Sequence, residues 1–247
     1  MKFIGIIPAR YASTRFPGKP LVDINGKTMI QRVYEQSKKT LEVVYVATDD
    51  QRVVEEVKRF GGNVVTTSEN HQSGTDRLAE AIELIQNDLN QKFDVVINIQ
   101  GDEPFIQPEQ IDEIKSCFND QTTEIATLVK AIESSEDIFN ENKPKVVPDK
   151  NMNAIYFSRS PIPFLRNTKK SDWLSHHTFY RHIGMYAYKT EVLRKLTKLE
   201  RSSLEIAESL EQLRWIENGY KIKIGKTDFD SPGVDTPEDL ERILKLL

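Results

Sequence analysis

The chain reads as an α/β protein with a doubly wound, mostly parallel sheet, and three observations predict it. Short apolar runs at Phe3–Pro8, Val43–Thr48 and Asp94–Gln100 alternate with segments whose apolar residues recur at helical spacing. The runs are apolar almost throughout, as strands covered on both faces require. Polar, glycine-bearing loops follow the strands, where open α/β sheets bind their ligands.

The elements follow in order. After the first strand, Phe3–Pro8, comes a loop dense in Arg, Ser, Gly and Pro, then a helix with Met29, Ile30, Val33 and Tyr34 on one face. Val43–Thr48 is a second strand ending in Asp49-Asp50. A helix carrying Val53, Val54 and Val57 follows, and Gly61-Gly62 stops it before a short strand at Val64-Val65. Thr75 or Asp76 is the expected cap of the next helix, which buries Leu78, Ile82 and Ile85. Asp94–Gln100 is a buried strand, and Pro108 opens a helix carrying Ile111, Ile114, Cys117 and Phe118. After Ile125 the rhythm loosens into strand-like IATLVKAI, a polar stretch at 133–145, strand-like AIYFS, a Lys/Ser-rich loop at 166–177 and strand-like IGMYAY. That middle part, at about 125–200, reads as a smaller mixed subdomain within one domain spanning 1–247. Helices are expected at Leu204–Asn218 and Pro237–Leu247, with strand-like YKIKI between them.

Composition narrows the function. The 247 residues carry a net charge of −4, and 29% are charged, as in water-soluble domains. No apolar run approaches a membrane span, and the stretch before Arg10 leads into charge rather than a cleavage site, so a cytoplasmic protein is expected. The single cysteine, Cys117, has no partner for an internal disulfide and reads as a buried small hydrophobe. Against the acidic balance, Lys2, Arg10, Arg15 and Lys19 precede the first acid, Asp23, which marks an anion site off the first strand. It is not a Walker loop, because Lys19 is followed by Pro20 and position 13 is Ser. Side-chain charge must therefore carry more of the binding. No G-x-G-x-x-G follows the first strand, which disfavours an NAD-binding oxidoreductase, and the four histidines lack zinc spacing.

Further positions can carry chemistry, each beside a plainer reading. Asp102, in Gln100-Gly101-Asp102-Glu103-Pro104, would project at the mouth of the sheet, and Gly101 would admit close backbone approach by a ligand. A nucleotide-borne Mg²⁺ takes only one or two protein carboxylates. The same string is also a helix-entry signal. In Gly233-Val234-Asp235-Thr236-Pro237-Glu238-Asp239, a helix start explains Thr236 through Asp239 but does not demand Asp235. Ser73 and Arg77, in His71-Gln72-Ser73-Gly74-Thr75-Asp76-Arg77, suit hydrogen bonds to a nucleotide and equally an N-terminal cap. His182 and Tyr188 read as satisfied interior residues as readily as ligands, and Arg159 as an ion-pair partner or a charge near phosphates.

The blocks PARYASTRFPGKPL, HQSGTDRLAEA, NIQGDEPFI, RHIGMYAY, LEQLRWIENGYKI and GVDTPEDLERI, in this order, resemble the sugar-activating cytidylyltransferases. The likeness spans nearly the whole chain and is strongest to the branch acting on 3-deoxy-manno-octulosonate (Kdo) in lipopolysaccharide assembly. One departure is Ser203, where related chains often carry Pro before the Leu-Glu of that helix. The resemblance implies a nucleotide-diphospho-sugar transferase-like fold, transfer of CMP from CTP to Kdo with release of pyrophosphate, Mg²⁺ as cofactor, and a homodimer formed through the middle subdomain. It implies that Arg10, Arg15, Lys19, Ser73 and Arg77 bind the nucleotide, and that Asp102 and Asp235 hold the metal. It also implies that Gln100, His182, Tyr188, Glu211 and Gln212 bind the acidic sugar, and that Arg10, Lys19 and the two acids carry the chemistry. Transfer to a sialic or 8-amino-octulosonic acid, or nucleotide sensing without turnover, are the alternatives.

Overall fold

The structure, a computed structural model, describes residues 1–12, 16–71 and 73–245. The chain divides into two compact units. The first comprises Met1–Asp112, Ala187–Thr197 and Asp230–Leu247, and the second Glu113–Tyr186 and Lys198–Phe229.

In the first unit, strands β1 (Phe3–Pro8), β2 (Val44–Thr48), β3 (Val64–Thr66) and β4 (Val95–Asn98) pair in parallel in the order β4-β1-β2-β3. Gly5 stands opposite Val44 on one side and Ile97 on the other, so the strands end together at one edge. Ile4, Ile6 and Ile7 of β1 are fully buried; each such side chain contributes roughly 1.5–3 kcal/mol on leaving water. Helices α1 (Met29–Ser37), α2 (Gln51–Arg59) and α3 (Gly74–Leu89) follow β1, β2 and β3, burying the faces that their apolar spacing predicts. The cap of α3 is Ser73 rather than Thr75 or Asp76: its hydroxyl accepts the Asp76 N–H while Asp76 returns the bond, a box written as Ser-x-x-Asp. Two features were not foreseen. Asn25 and Gly26, at φ 50° and 80°, turn a two-stranded hairpin (Asp23–Ile24 with Lys27–Thr28), and Thr190–Leu196 is a helix.

In the second unit, β5 (Ile125–Ala131) pairs in parallel with β9 (Ile222–Lys226). An antiparallel set joins β6 (Lys145–Pro148), β7 (Ala154–Ser158) and β8 (Tyr180–Lys189), whose residues Ala187–Lys189 belong to the first unit. The Lys/Ser-rich stretch at 166–177 is partly helical, at Lys170–Asp172 and Trp173–His176, because Trp173 is buried and stacks on Phe179 with centroids 5.6 Å apart. The helix expected over Leu204–Asn218 is two, Ser203–Glu208 and Gln212–Glu217, broken where Ser209 takes a left-handed φ of 52°. Lys145 is wholly buried, its ammonium donating to the carbonyls of Asn140 at 2.8 Å and Arg159 at 2.6 Å. Cys117 is buried as expected, and burial pushes its thiol up to about 11. Among the described residues, no helix is long and apolar enough to cross a membrane.

Candidate active site

The loop leaving β1 ends in a tight turn. Gly18 takes the left-handed conformation at φ 76°, its N–H donates to the Tyr11 carbonyl at 2.9 Å, and Lys19 opens the short turn Lys19–Leu21. From there the Lys19 ammonium donates to Asp102 Oδ2 at 2.6 Å, Asp235 Oδ1 at 3.1 Å and the Val234 carbonyl at 3.3 Å. Its side chain is 14% exposed. Burial pulls the ammonium's pKa down, but the charges and hydrogen bonds of Asp102 and Asp235 outweigh it, and the net shift is above the ordinary lysine value.

Backbone bonds bring the two acids together. Asp102 follows β4 in the Gly101 turn, and a Cβ on Gly101 would lie 2.8 Å from the Pro8 carbonyl oxygen. The close approach expected there of a ligand is made instead by β1's own backbone. The Val234 N–H donates to the Asp102 carbonyl at 2.9 Å, and the Val234 side chain is buried with Ile24, Met29 and Ile243. On its other side, Asp235 adjoins the capping box of helix Pro237–Leu244, where the Asp239 carboxylate accepts the N–H groups of Asp235 and Thr236, both at 3.1 Å. Burial raises the Asp239 pKa, yet these bonds and Arg242 outweigh it and hold the carboxyl below its usual range. Thr236–Asp239 thus starts a helix, and the Asp235 carboxylate turns to Lys19. Two carboxylate oxygens that share one cationic nitrogen are hard donors in the number a nucleotide-borne Mg²⁺ takes from a protein. No group of three or more His, Cys, Asp or Glu side chains suited to a metal occurs among the described residues. The donor set fits an ion completed by phosphate oxygens and water, not a cage built wholly by the protein.

The nucleotide-side candidates are placed unevenly. Arg10 is exposed at the end of β1, while Arg15 lies outside the described residues. The Ser73 hydroxyl is engaged in its cap. Arg77 is 1% exposed, and its guanidinium donates to Thr67 Oγ1 at 2.6 Å and Asp49 Oδ2 at 2.7 Å. It ties α3 to the ends of β2 and β3, so the direct nucleotide contact expected of its side chain is not part of this geometry. Sequence reading missed Asp49 and Thr67 as its partners; the doublet Asp49-Asp50 at a strand end was the available signal. His71 Nε2 lies 2.5 Å from the Glu80 carboxylate, which also accepts the Ser68 N–H.

The sugar-side candidates fall in both units. Gln100 is partly buried after β4, and Tyr188 is fully buried. In the second unit, the His182 ring lies against Phe157 and Tyr186, with centroids 5.2 Å away in each case, and its Nε2 is 3.0 Å from Thr127 Oγ1. Desolvation pushes this imidazole down to about 3, leaving it neutral at physiological pH. Tyr186 in turn meets Trp215 edge-on at 5.2 Å, on the helix that Gln212 opens. Gln212 is buried, and its Nε2 has no hydrogen-bond partner among the described residues, an arrangement suited to a ligand acceptor. The Glu211 carboxylate pairs with Arg214 at 3.2 Å. Arg159 is spent internally: its guanidinium donates to the carbonyls of Glu141, Glu208 and Ser209.

Comparison with known proteins gives this arrangement a family. The model of the cytidylyltransferase family matches residues 4–223. The 3-deoxy-manno-octulosonate cytidylyltransferase of Parabacteroides distasonis is 61% identical over 251 residues, covering 100% of this chain and 98% of that protein. The enzyme of the same name from Bacteroides thetaiotaomicron is 61% identical over 250 residues, covering 100% and 98%. A solved structure of CMP:2-keto-3-deoxy-manno-octonic acid synthetase complexed with CTP superposes with a TM-score of 0.91 at 42% identity, covering 100% of this chain and 98% of that one. With its mostly parallel sheet and its Lys19, Asp102 and Asp235 gathered at the strand ends, the chain belongs to the cytidylyltransferase family, in the branch of the 3-deoxy-manno-octulosonate cytidylyltransferases.

Proposed function

We propose that this protein transfers CMP from CTP to the anomeric hydroxyl of Kdo. The hydroxyl oxygen bonds to the α-phosphorus, the bond from that phosphorus to the bridging oxygen of the β-phosphate breaks, and pyrophosphate leaves with its electron pair while the hydroxyl proton passes to solvent. The observation that carries the reading is Lys19 held between Asp102 and Asp235 at the carboxyl edge of a parallel sheet. Arg10, Arg15 and Lys19 neutralise the triphosphate and the departing pyrophosphate. Asp102 and Asp235 would hold Mg²⁺, which supplies further neutralisation of the phosphate charge when bound. Ser73 and the Arg77-braced loop orient the nucleoside, and Gln100, His182, Tyr188, Glu211 and Gln212 orient the sugar.

A cytoplasmic homodimer completes the proposal. In this reading the dimer forms through the middle subdomain at about 125–200, and the exposed apolar side chains of Ile155 and Phe164, 57% and 73% exposed, support it. Sedimentation equilibrium checks it: a monomer at micromolar concentration removes the dimer.

Pyrophosphate release with CTP, Mg²⁺ and a panel of acidic sugars tests the reaction. Turnover with sialic acid but not Kdo overturns the substrate, and no turnover with any sugar returns the protein to nucleotide sensing. The assignment of sides is tested by His182→Ala and Gln212→Ala, which should weaken dependence on Kdo and leave CTP binding nearly unchanged by calorimetry. Equal loss for both ligands would show a folding role instead.

A further inference from the structure

We infer that Tyr11 and Arg52 form a positioning pair that holds the Lys19 turn in place. The inference rests on the CTP-using reading above and assigns these two residues a part in it. The Arg52 guanidinium carbon lies 3.3 Å from the centroid of the Tyr11 ring. Although 58% exposed, Arg52 is fixed: the Asp50 carboxylate accepts its Nε at 2.9 Å and its Nη2 at 2.6 Å. The same carboxylate accepts the Arg52 N–H at 2.9 Å and so caps α2. The fork is therefore rooted in the start of a helix rather than in a mobile stem.

The other end of the contact reaches Lys19. A Cβ on Gly18 would lie 3.1 Å from the Cζ and Oη atoms of Tyr11, so the ring packs directly on the glycine that precedes Lys19. The Gly18 N–H donates to the Tyr11 carbonyl, so backbone and ring of one residue grip the turn from which the ammonium reaches Asp102 and Asp235. The order of support runs from the α2 cap through Asp50, Arg52 and Tyr11 to Gly18 and Lys19, all within the first unit. Arg52 acts here through Tyr11; the competing role is a direct bond from Arg52 to a phosphate.

A double-mutant cycle separates the two, with kcat and KM for CTP measured on wild type, Arg52→Gln, Tyr11→Leu and the double variant. Hydrogen exchange at the Gly18 amide is followed alongside. An exposed guanidinium on a ring is worth about two- to fivefold, so Arg52→Gln should lower kcat/KM for CTP by that factor. The double variant should be no worse than Tyr11→Leu, Tyr11→Phe should restore most of the loss by keeping the ring, and the Gly18 amide should exchange faster in Arg52→Gln. If Arg52→Gln costs the same factor with and without the ring, or Gly18 exchange is unchanged, the pair does not position the turn. Should Tyr11→Leu fail to fold, Arg52→Lys decides. A lysine that restores kcat/KM without restoring Gly18 protection acts on phosphate and overturns the proposal, whereas loss of both supports it. Wild type that releases no pyrophosphate with any sugar sinks the functional reading instead, and Gly18 exchange still reports on the pair.

Discussion

Lys19 stands where three demands meet: two carboxylates that repel each other, a mostly buried ammonium that must be paired and, in the proposed reaction, a triphosphate that must be neutralised. Lys19→Met removes the shared cation and a charge-assisted bond, which should cost about 1.5–3 kcal/mol of transition-state stabilisation, or roughly 10- to 150-fold in kcat/KM. A value within about twofold of wild type would leave no room for a phosphate role on the same arithmetic. Asp102→Asn and Asp235→Asn keep size and hydrogen-bonding atoms but remove the anionic oxygen that a hard cation prefers. Each should lose most activity while the protein melts near the wild-type temperature, and the double variant should be hardly worse than either, because groups serving one ion act as a unit. If Asp235→Asn keeps turnover while Asp102→Asn abolishes Mg²⁺ dependence, Asp235 belongs to the helix start alone and Glu103 becomes the next candidate. That these three residues are candidates was legible in their motifs. That the ammonium lies between the acids was not, since it depends on one backbone bond, from Val234 to Asp102, spanning more than half the chain.

At the scale of elements, what the sequence disclosed is what local periodicity controls. β1, β2 and the faces of α1, α2 and α3 are written in apolar spacing, and they form where expected. The break at Ser209 was not legible, because serine rarely takes φ 52° and nothing nearby in sequence requires it. The helical turn at Trp173 was hidden in a polar stretch, since it exists to stack one indole on Phe179. The inward turn of Arg77 was hidden for a similar reason: its partners Asp49 and Thr67 come from two other strand ends, and only folding brings them to the guanidinium. The helix start after Asp235 offers a test of how elements aim a site. Thr236→Ala removes a side-chain cap worth about 1 kcal/mol and loosens the backbone that carries Asp235. Stability should fall by about that amount, and activity should fall with Asp235 intact and Mg²⁺ dependence weakened. Loss of stability with unchanged Mg²⁺ titration would confine the cap to folding.

For the whole molecule, the sharpest consequence of these environments is how stability varies with pH, measured as the urea midpoint. His182 is held neutral down to about 3 by desolvation, whereas an unfolded histidine titrates near 6.5. As pH falls below 6.5 the unfolded chain binds a proton that the folded one refuses, so stability drops by up to about 1.4 kcal/mol per unit towards pH 3. Asp50, held low by its bonds to Arg52, and Asp239, held low by its cap bonds and Arg242 against its burial, act in a later window. Their contribution is complete above the ordinary carboxylate pKa and is lost as pH falls below it. On the alkaline side the Cys117 thiol is pushed up to about 11 from 9.0, so the unfolded chain ionises first and stability declines above pH 9. His182→Gln should flatten the limb between pH 6.5 and about 4.5 while leaving the carboxylate limb in place, and Cys117→Ala should flatten the limb above pH 9. Because His182 sits among Phe157, Tyr186 and Thr127, the variant will also lower the plateau, so the slope rather than the midpoint at one pH is the quantity to compare. A wild-type limb between 6.5 and 4.5 already as flat as that of His182→Gln would mean that the imidazole finds water or a proton acceptor in the folded state. It would then titrate as an ordinary accessible histidine, and burial could not be what sets the acid limb.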